Sequence, residues 1–464
     1  MTRRPALLAV SLVLGAALLP FPIGSQVRAA APVAAPEASP LAAAPTASTS
    51  AIVPGSVNRS SLFLEATYDA YLKVSWGPRS IYVDSTATIR NTSGGSIDRV
   101  ELNTIAARLG SIRLQPVTVD GKSLAATISD QTIVVPLGGI LPVGAVTTVR
   151  VRYGATVRSS LSGSNWMFTR TNGVLDLYRW LPWVSRRIAF DRPNHGDPFE
   201  TPVSSSVKVR ITTSRKVVLA TTGDRTGVSA DGLTSTFIAR NVRDFTVTAA
   251  EDYRTASRKV GNVTVRVFYR PGGPGSAMLD AAADAFAAYQ AKLGGYPHPY
   301  FKVVQSAGGY GMESPGLIWV PTGVASSNLR YLAAHETAHQ WFYGIVGDDQ
   351  ALEPFTDEAV ADFTARNVLG LKRASRCSTG RLDLSIYDYS STCYYERIYI
   401  QGGNLLDTAR QRIGTLAYWA AIRGWIAAHR NGIASTSSLL SALDAATPID
   451  LGHTLFAPRF PRLY

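Results

Sequence analysis

Between about residues 58 and 255, short runs of the chain alternate apolar and polar positions. Ser80-Ile-Tyr-Val-Asp-Ser-Thr-Ala-Thr-Ile89, Gln131-Thr-Ile-Val-Val-Pro136, Thr147-Thr-Val-Arg-Val-Arg-Tyr153 and Val207-Lys-Val-Arg-Ile-Thr-Thr213 are the clearest. A period of two puts every second side chain on one face, as in a strand buried on one side. Asn91-Thr-Ser-Gly-Gly95, Asp120-Gly121 and Gly138-Gly139 punctuate the runs as turn signals. This pattern predicts an N-terminal β domain over 58–255, an antiparallel sandwich or open saddle.

After about residue 256 the period changes. A strand over Val263–Tyr269 leads through Pro271-Gly-Gly-Pro-Gly275 into an Ala-rich helical stretch near 276–293. A second strand at Phe301–Gln305, a Gly-rich loop and a third short strand at Leu317–Val320 follow, and then mostly helices to the end. The second half, 256–464, therefore reads as a separate α/β-to-α domain, and the whole chain as a multidomain α+β protein with no internal repeat.

The N-terminus is of another kind. Arg3 and Arg4 precede an apolar run from Ala6 to Leu19, then Pro20, Pro22 and the small residues Ala29-Ala30-Ala31. That run is too short to span a bilayer with ease but suits a signal peptide, here assigned to 1–30. The alternative is an uncleaved N-terminal anchor. Residues 31–57, rich in Ala, Pro and Ser, are expected to form a flexible tether. No later segment is apolar for long enough to cross a membrane, so the expected product is exported, and secreted or associated with the cell envelope.

Export changes the meaning of the cysteines. Cys377 and Cys393 are the only two, and in an oxidising compartment they are expected to pair. Charge adds less. In 464 residues, 46 Lys+Arg against 33 Asp+Glu give a net charge of +13, but the basic residues are scattered. No basic stripe interleaved with aromatics marks a nucleic-acid groove, so no nucleic-acid partner is expected. A loose attraction to an acidic envelope is the plainer consequence.

The chemistry lies in Asn328–Val346, which has no Pro or Gly before Gly344 and is expected to be helical. His335 and His339, spaced i and i+4, share one helix face and can reach one Zn²⁺. Glu336 falls beside the metal, where it can take a proton from the water that the metal activates. Glu358 follows His339 after 18 intervening residues, and Pro354 and Thr356 mark a helix start around it. Two His and one carboxylate, with a fourth position left open, make a catalytic zinc set. Asp362, one helical turn beyond Glu358, is the candidate to accept the spare ring N–H of a ligand histidine. His195, in Asn194-His-Gly-Asp197, reads as a turn residue and not a fourth ligand.

The His-Glu-x-x-His motif with its later Glu resembles the gluzincin peptidases of the aminopeptidase N family. His335-Glu-Thr-Ala-His-Gln-Trp-Phe342 is similar to that family's zinc helix beyond the bare motif, and Tyr310-Gly-Met-Glu-Ser-Pro-Gly316 resembles its Gly-x-Met-Glu-Asn segment. Tyr399-Ile-Gln-Gly402 resembles its Tyr-Glu-Lys-Gly motif. The resemblance implies a β-saddle domain followed by a thermolysin-like catalytic domain holding one zinc ion. Gly311, Met312 and Glu313 would lie on an edge strand lining the cleft, with Glu313 holding the substrate's α-amine. Tyr399 would hydrogen-bond the oxyanion. Ser314, Tyr310 and Gln401 depart from the family's Asn, Gly and Lys. The resemblance further implies a short form without the family's C-terminal helical domain, and a more open cleft.

The expected function is therefore an exported zinc peptidase acting on peptides or proteins, an aminopeptidase first and an open-cleft endopeptidase second. A catalytically inactive binding module is the reading from another class. The thermolysin group is the near rival, but its third Glu comes one residue later and it lacks the Gly-x-Met-Glu segment.

Overall fold

A computed structural model describes residues 51–192 and 194–464. The expected signal peptide, 1–30, and the tether up to residue 50 lie outside the described residues. Residues 51–57 do not hang free. Val53 bridges Ile140, and the Asp98 carboxylate accepts N–H groups from Val57 at 2.8 Å and Asn58 at 2.6 Å. Gly138-Gly139, expected as a turn, lies inside the strand Thr132–Leu141. A Cβ on Gly139 would fall 2.5 Å from the Val53 carbonyl, so the glycine is what admits the incoming segment.

The β half folds as its alternation requires, each strand turning one face to a common core. A nine-stranded sheet includes Leu64–Ser75, Ser80–Asn91, Val146–Thr156 and Val207–Thr213. Leu64–Ser75 reads buried and exposed in strict alternation at its start. Two four-stranded sheets stand beside it, one holding Val174–Leu177 and the other Ile97–Asn103. The pairing is antiparallel except between Leu64–Ser75 and Val207–Thr213, which run parallel. The sequence lacks a signal for that pair, because the strands are joined by a long excursion through the other sheets.

The second half builds a five-stranded sheet from β1 (Arg254–Val260), β2 (Val263–Tyr269), β3 (Tyr300–Ser306), β4 (Met312–Ser314) and β5 (Leu317–Pro321). Its order is β1-β2-β3-β5-β4. The pairs β2/β3 and β3/β5 are parallel, and β4 closes the edge antiparallel to β5 with Glu313 opposite Ile318. Helix α1 (Gly275–Leu293) buries its Ala-rich face, Phe286 and Tyr289 on this sheet, and Phe286 stacks on Phe301 at 5.2 Å. Helices α2 (Ser326–Ala338), α3 (Val360–Leu369) and α4 (Gly402–Ile413) follow.

Two apolar cores result. One gathers side chains mainly from the strands between Leu64 and Tyr253, the other mainly those between Val263 and Phe460. A buried polar seam joins them. Arg179 donates to the Tyr343 hydroxyl at 2.7 Å, and that hydroxyl donates to the Asp244 carboxylate. The fully buried Arg243 donates to the carbonyls of Thr201 at 2.9 Å and of Gly432. Groups buried this deeply must be paired, since an unpaired one costs roughly 1–3 kcal/mol.

Cys377 and Cys393 form a disulfide, closing a loop with a sequence separation of 16, for which chain entropy gives about 3 kcal/mol of stabilisation. Among the described residues no helix is long and apolar enough to cross a membrane.

Candidate metallopeptidase site

The helix expected over 328–346 ends earlier, at Ala338, with His339 as its cap residue. Beyond it the chain turns. Gly344 N–H reaches back to the His339 carbonyl at 2.8 Å, and Tyr343 takes a positive φ of 108° to reach the Asp244 and Arg179 seam. Gln340, the next residue after His339, ties helix to edge strand. Its Oε1 accepts from Gly316 N–H at 2.7 Å and its amide donates to the Ser314 carbonyl at 3.0 Å. The C-terminal end of α2 and the β4 edge are therefore tied together by one side chain.

Glu358 and Tyr399 both sit on wide π-helical turns, Phe355–Ala359 and Glu396–Gln401. Such turns are rare and concentrate at functional sites. The second opens α4, and a Cβ on Gly402 would lie 2.7 Å from the Ala359 Cβ. That glycine lets α4 approach closely enough to bring Tyr399 over the site.

Three donor atoms converge. His335 Nε2 is 3.2 Å from His339 Nε2 and 3.2 Å from Glu358 Oε2, and His339 Nε2 is 3.5 Å from Glu358 Oε2. Tetrahedral bonds of about 2.0–2.1 Å to zinc set neighbouring donors about 3.3–3.4 Å apart, so the triangle has the right size. Protonation points the same way. His339 Nδ1 faces Asp357 Oδ1 at 2.5 Å and the Phe342 carbonyl at 3.1 Å. Both neighbours are acceptors, so Nδ1 carries the proton and Nε2 presents its lone pair to the other two donors. Glu358 Oε2 is buried and has no hydrogen-bond partner among the described residues. Lone pairs facing one another in a buried pocket call for a cation, and nitrogen, nitrogen and oxygen at this spacing suit zinc.

Asp357 therefore takes the role expected of Asp362. Asp362 instead accepts from the Tyr331 hydroxyl and from Arg366 at 2.6 Å. Asp362 lies in the regular helix α3, and its carboxylate faces Tyr331 and Arg366, not a ligand ring. Asp357 is held in turn by Gln350, whose amide donates to Asp357 Oδ2 at 2.7 Å and to Glu313 Oε1 at 2.8 Å. Nothing in the sequence pattern marked Asp357 or Gln350.

The remaining candidates line one cavity of about 650 Å³ with the donor triangle: Gly311, Met312, Glu313, Glu336 and Tyr399. The Glu313 and Glu336 carboxylates and a His339 nitrogen lie within 4.8 Å of one another. Tyr399 has its ring 5.5 Å from that of His335. A second phenol, Tyr394, packs on Tyr399 at 6.0 Å and is buried. His195 stands on the cavity wall in a left-handed turn, φ 66°, against Tyr310 at 4.9 Å, and is not among the grouped donors.

The departures from the family motifs have local partners. Ser314 donates to the Asp244 carboxylate and meets Thr246 at 3.1 Å. Gln401 donates to the carbonyls of Cys377 and Ser378 at 3.0 and 2.9 Å, anchoring the disulfide loop.

Burial dominates the electrostatics. It raises Glu336 to about 7, against the pull of the His335 and His339 rings. It raises Asp197 to about 6, opposed by Arg192, whose Nη2 lies 2.9 Å from Asp197 Oδ1. Burial, and then Asp197, also push Glu313 well above the ordinary carboxylate range. Carboxylates crowded this closely resist ionising together, and cationic ligands relieve the repulsion.

Glu336 is packed under the Gly311 backbone. A Cβ at 311 would lie 2.1 Å from Glu336 Oε1 and 2.9 Å from Leu332 Cδ1. Gly311→Ala should therefore push the carboxylate aside without unfolding the chain. The expected result is unchanged metal content with kcat lowered about 10²-fold, the size of effect that a displacement near 1 Å produces. Metal analysis beside steady-state kinetics checks it.

No protein-family model matches the chain, and no curated protein matches it. Solved structures do. An M1 zinc metallopeptidase from Deinococcus radiodurans superposes with a TM-score of 0.67 at 19% identity, covering 84% of this chain and 92% of that one. A variant of that peptidase bound to a Tyr-Ser-Ala substrate gives 0.69 at 18%, covering 89% and 97%. A two-domain M1 zinc metallopeptidase variant bound to L-tryptophan gives 0.67 at 19%, covering 88% and 96%. The fold of this chain is that of the two-domain M1 zinc metallopeptidases.

Proposed function

We propose that this chain is a zinc-dependent peptidase, an exported aminopeptidase that removes N-terminal residues from peptides. The observation that carries the reading is the donor triangle of His335, His339 and Glu358, with Glu336 beside it and the Glu313 carboxylate in the same cavity. One zinc ion bound there would polarise the scissile carbonyl and make a water molecule acidic at neutral pH. Glu336 takes the water's proton and returns it to the leaving amine, a task suited to a base poised near 7. Tyr399 donates to the oxyanion, a contact of a kind worth roughly 10²–10³ in rate. Asp357 holds the His339 ring and its tautomer, and Gln350 holds Asp357. Glu313 accepts the substrate's ammonium, and the β4 edge pairs with the substrate backbone.

The division into an N-terminal β-saddle over 58–255 and a thermolysin-like catalytic domain over 256–464 is part of this reading, supported by the two cores. Export rests on the sequence of residues 1–30 and is supported by the disulfide. Loose association with the envelope would follow from the net charge, which is +13 for the whole chain and falls to +10 when Arg3, Arg4 and Arg28 leave with residues 1–30.

Free-amine and N-acetylated versions of one peptide, offered to wild type and to Glu313→Ala, test the exopeptidase assignment. The wild type should favour the free amine. Glu313→Ala should lower kcat/KM on it by about tenfold or more, from roughly 1.5–3 kcal/mol of lost charged hydrogen bonding. The acetylated peptide should be poor for both proteins. Equal cleavage of the two peptides by the wild type would make the chain an endopeptidase.

A further inference from the structure

We infer that Arg373 binds the C-terminal carboxylate of the substrate, and that the site is built for short zwitterionic peptides of about three residues. The inference rests on the aminopeptidase reading and adds the substrate class to it. Two cations line the cleft besides the imidazoles, Arg192 and Arg373. Arg192 is committed, to Asp197 at 2.9 Å and to the His195 carbonyl at 2.6 Å. Arg373 is not. Its guanidinium lies 3.9 Å from the centre of the Tyr331 ring, and Nη1 donates to the Tyr395 hydroxyl at 2.5 Å. Among the described residues no carboxylate lies within ion-pair distance of it, and the nearby Asp362 is already bonded to Tyr331 and Arg366. A half-buried guanidinium, oriented by an aromatic face and a phenol with donors to spare, is a receptor for a planar carboxylate.

Its place along the cleft fixes the ligand's length. Glu313 groups with Glu336 and His339, at the C-terminal end of α2. Arg373 covers Tyr331, which stacks on His335 from one turn nearer the helix N-terminus. Tyr331 lies five residues before Glu336 and eight before His339, about 8–12 Å along a helix axis. An extended chain covers about 3.3–3.6 Å per residue, so a tripeptide spans about 10 Å. Its ammonium on Glu313 and its carboxylate on Arg373 would place the first peptide bond over the donor triangle. A hexapeptide, about 20 Å long when extended, would carry its carboxylate past Arg373. The cleft thus presents acid at one end and an unpaired base at the other, the charge pattern complementary to a short peptide with both ends free.

The experiment measures kcat/KM of the zinc-loaded wild type and of Arg373→Gln on Ala-Ala-Ala, on the same tripeptide amidated at its C-terminus, and on hexa-alanine. Alanine p-nitroanilide, which has no carboxylate, serves with the wild type as a test of the aminopeptidase reading alone. The expected result is that the wild type favours the acid over both the amide and the hexamer by about tenfold or more, carried mostly by KM. In Arg373→Gln the acid and the amide should become equivalent within about twofold. A wild type that hydrolyses the anilide but treats acid and amide alike overturns the inference and leaves the reading standing. A preference that survives in Arg373→Gln overturns the assignment to Arg373. If neither the anilide nor any peptide is cleaved, the aminopeptidase reading itself fails. The wild-type comparison of acid, amide and hexamer decides the substrate class even if the variant does not fold.

Discussion

Glu336→Gln is expected to leave zinc bound and to remove about 10²–10⁴-fold of kcat, the range of a lost general base. Glu336 is not a corner of the donor triangle, so the amide should not disturb the metal. Its shape is also conserved, so it should not collide with Gly311, whose Cβ position lies within 2.1 Å of Glu336 Oε1. What the amide cannot do is accept a proton at neutral pH, which a carboxyl raised to about 7 by burial can. Metal content and peptide binding measured on the same preparation separate this outcome from misfolding. Substantial turnover by Glu336→Gln would assign the base elsewhere.

The second large effect is expected from His339→Ala, where metal and activity should disappear together. His339 holds two sides of the triangle, and its other ring nitrogen is fixed by Asp357 at 2.5 Å. Deleting the ring leaves two ligands, fewer than the three protein ligands that catalytic zinc sites use. It also strands the buried Asp357 carboxylate, of which one oxygen loses its partner. A fall in folding stability of about 1–3 kcal/mol should accompany the loss. Zinc analysis and thermal melting of variant and wild type check both parts. Retention of zinc by His339→Ala would mean that the ion sits on another set of donors.

How much of this was legible in the chain differs from residue to residue. His335, Glu336 and His339 belong to one helix, where spacing alone decides which side chains share a face. Glu358 was found by its distance from that motif, and Glu313 and Tyr399 only through the resemblance of their segments to the family's Gly-x-Met-Glu-Asn and Tyr-Glu-Lys-Gly motifs. Asp362 was expected at a ligand ring because it lies one turn past Glu358, but spacing does not show which partners other elements bring, and Tyr331 and Arg366 take its carboxylate. Asp357 was hidden because its partners, His339 and Gln350, come from other parts of the chain, although it stands next to Glu358. Gln350, Arg192, Asp197 and Arg373 reach the site from loops, where no periodicity ties sequence position to direction. In the β half, period-two alternation located Ser80–Asn91 and Val207–Thr213, but could not show the parallel pairing of Leu64–Ser75 with Val207–Thr213. Alternation reports which face is buried and says nothing of the neighbouring strand.

The most direct test of the central claim joins metal content to turnover on the purified chain. Zinc is counted per protein molecule, removed with a chelator and restored, while release of N-terminal residues from a free-amine peptide is followed throughout. The account predicts one zinc per chain, loss of hydrolysis when it is removed, and recovery in proportion to the zinc returned. A chain that binds no zinc, or one that hydrolyses the peptide equally well after the zinc has been stripped, would contradict it.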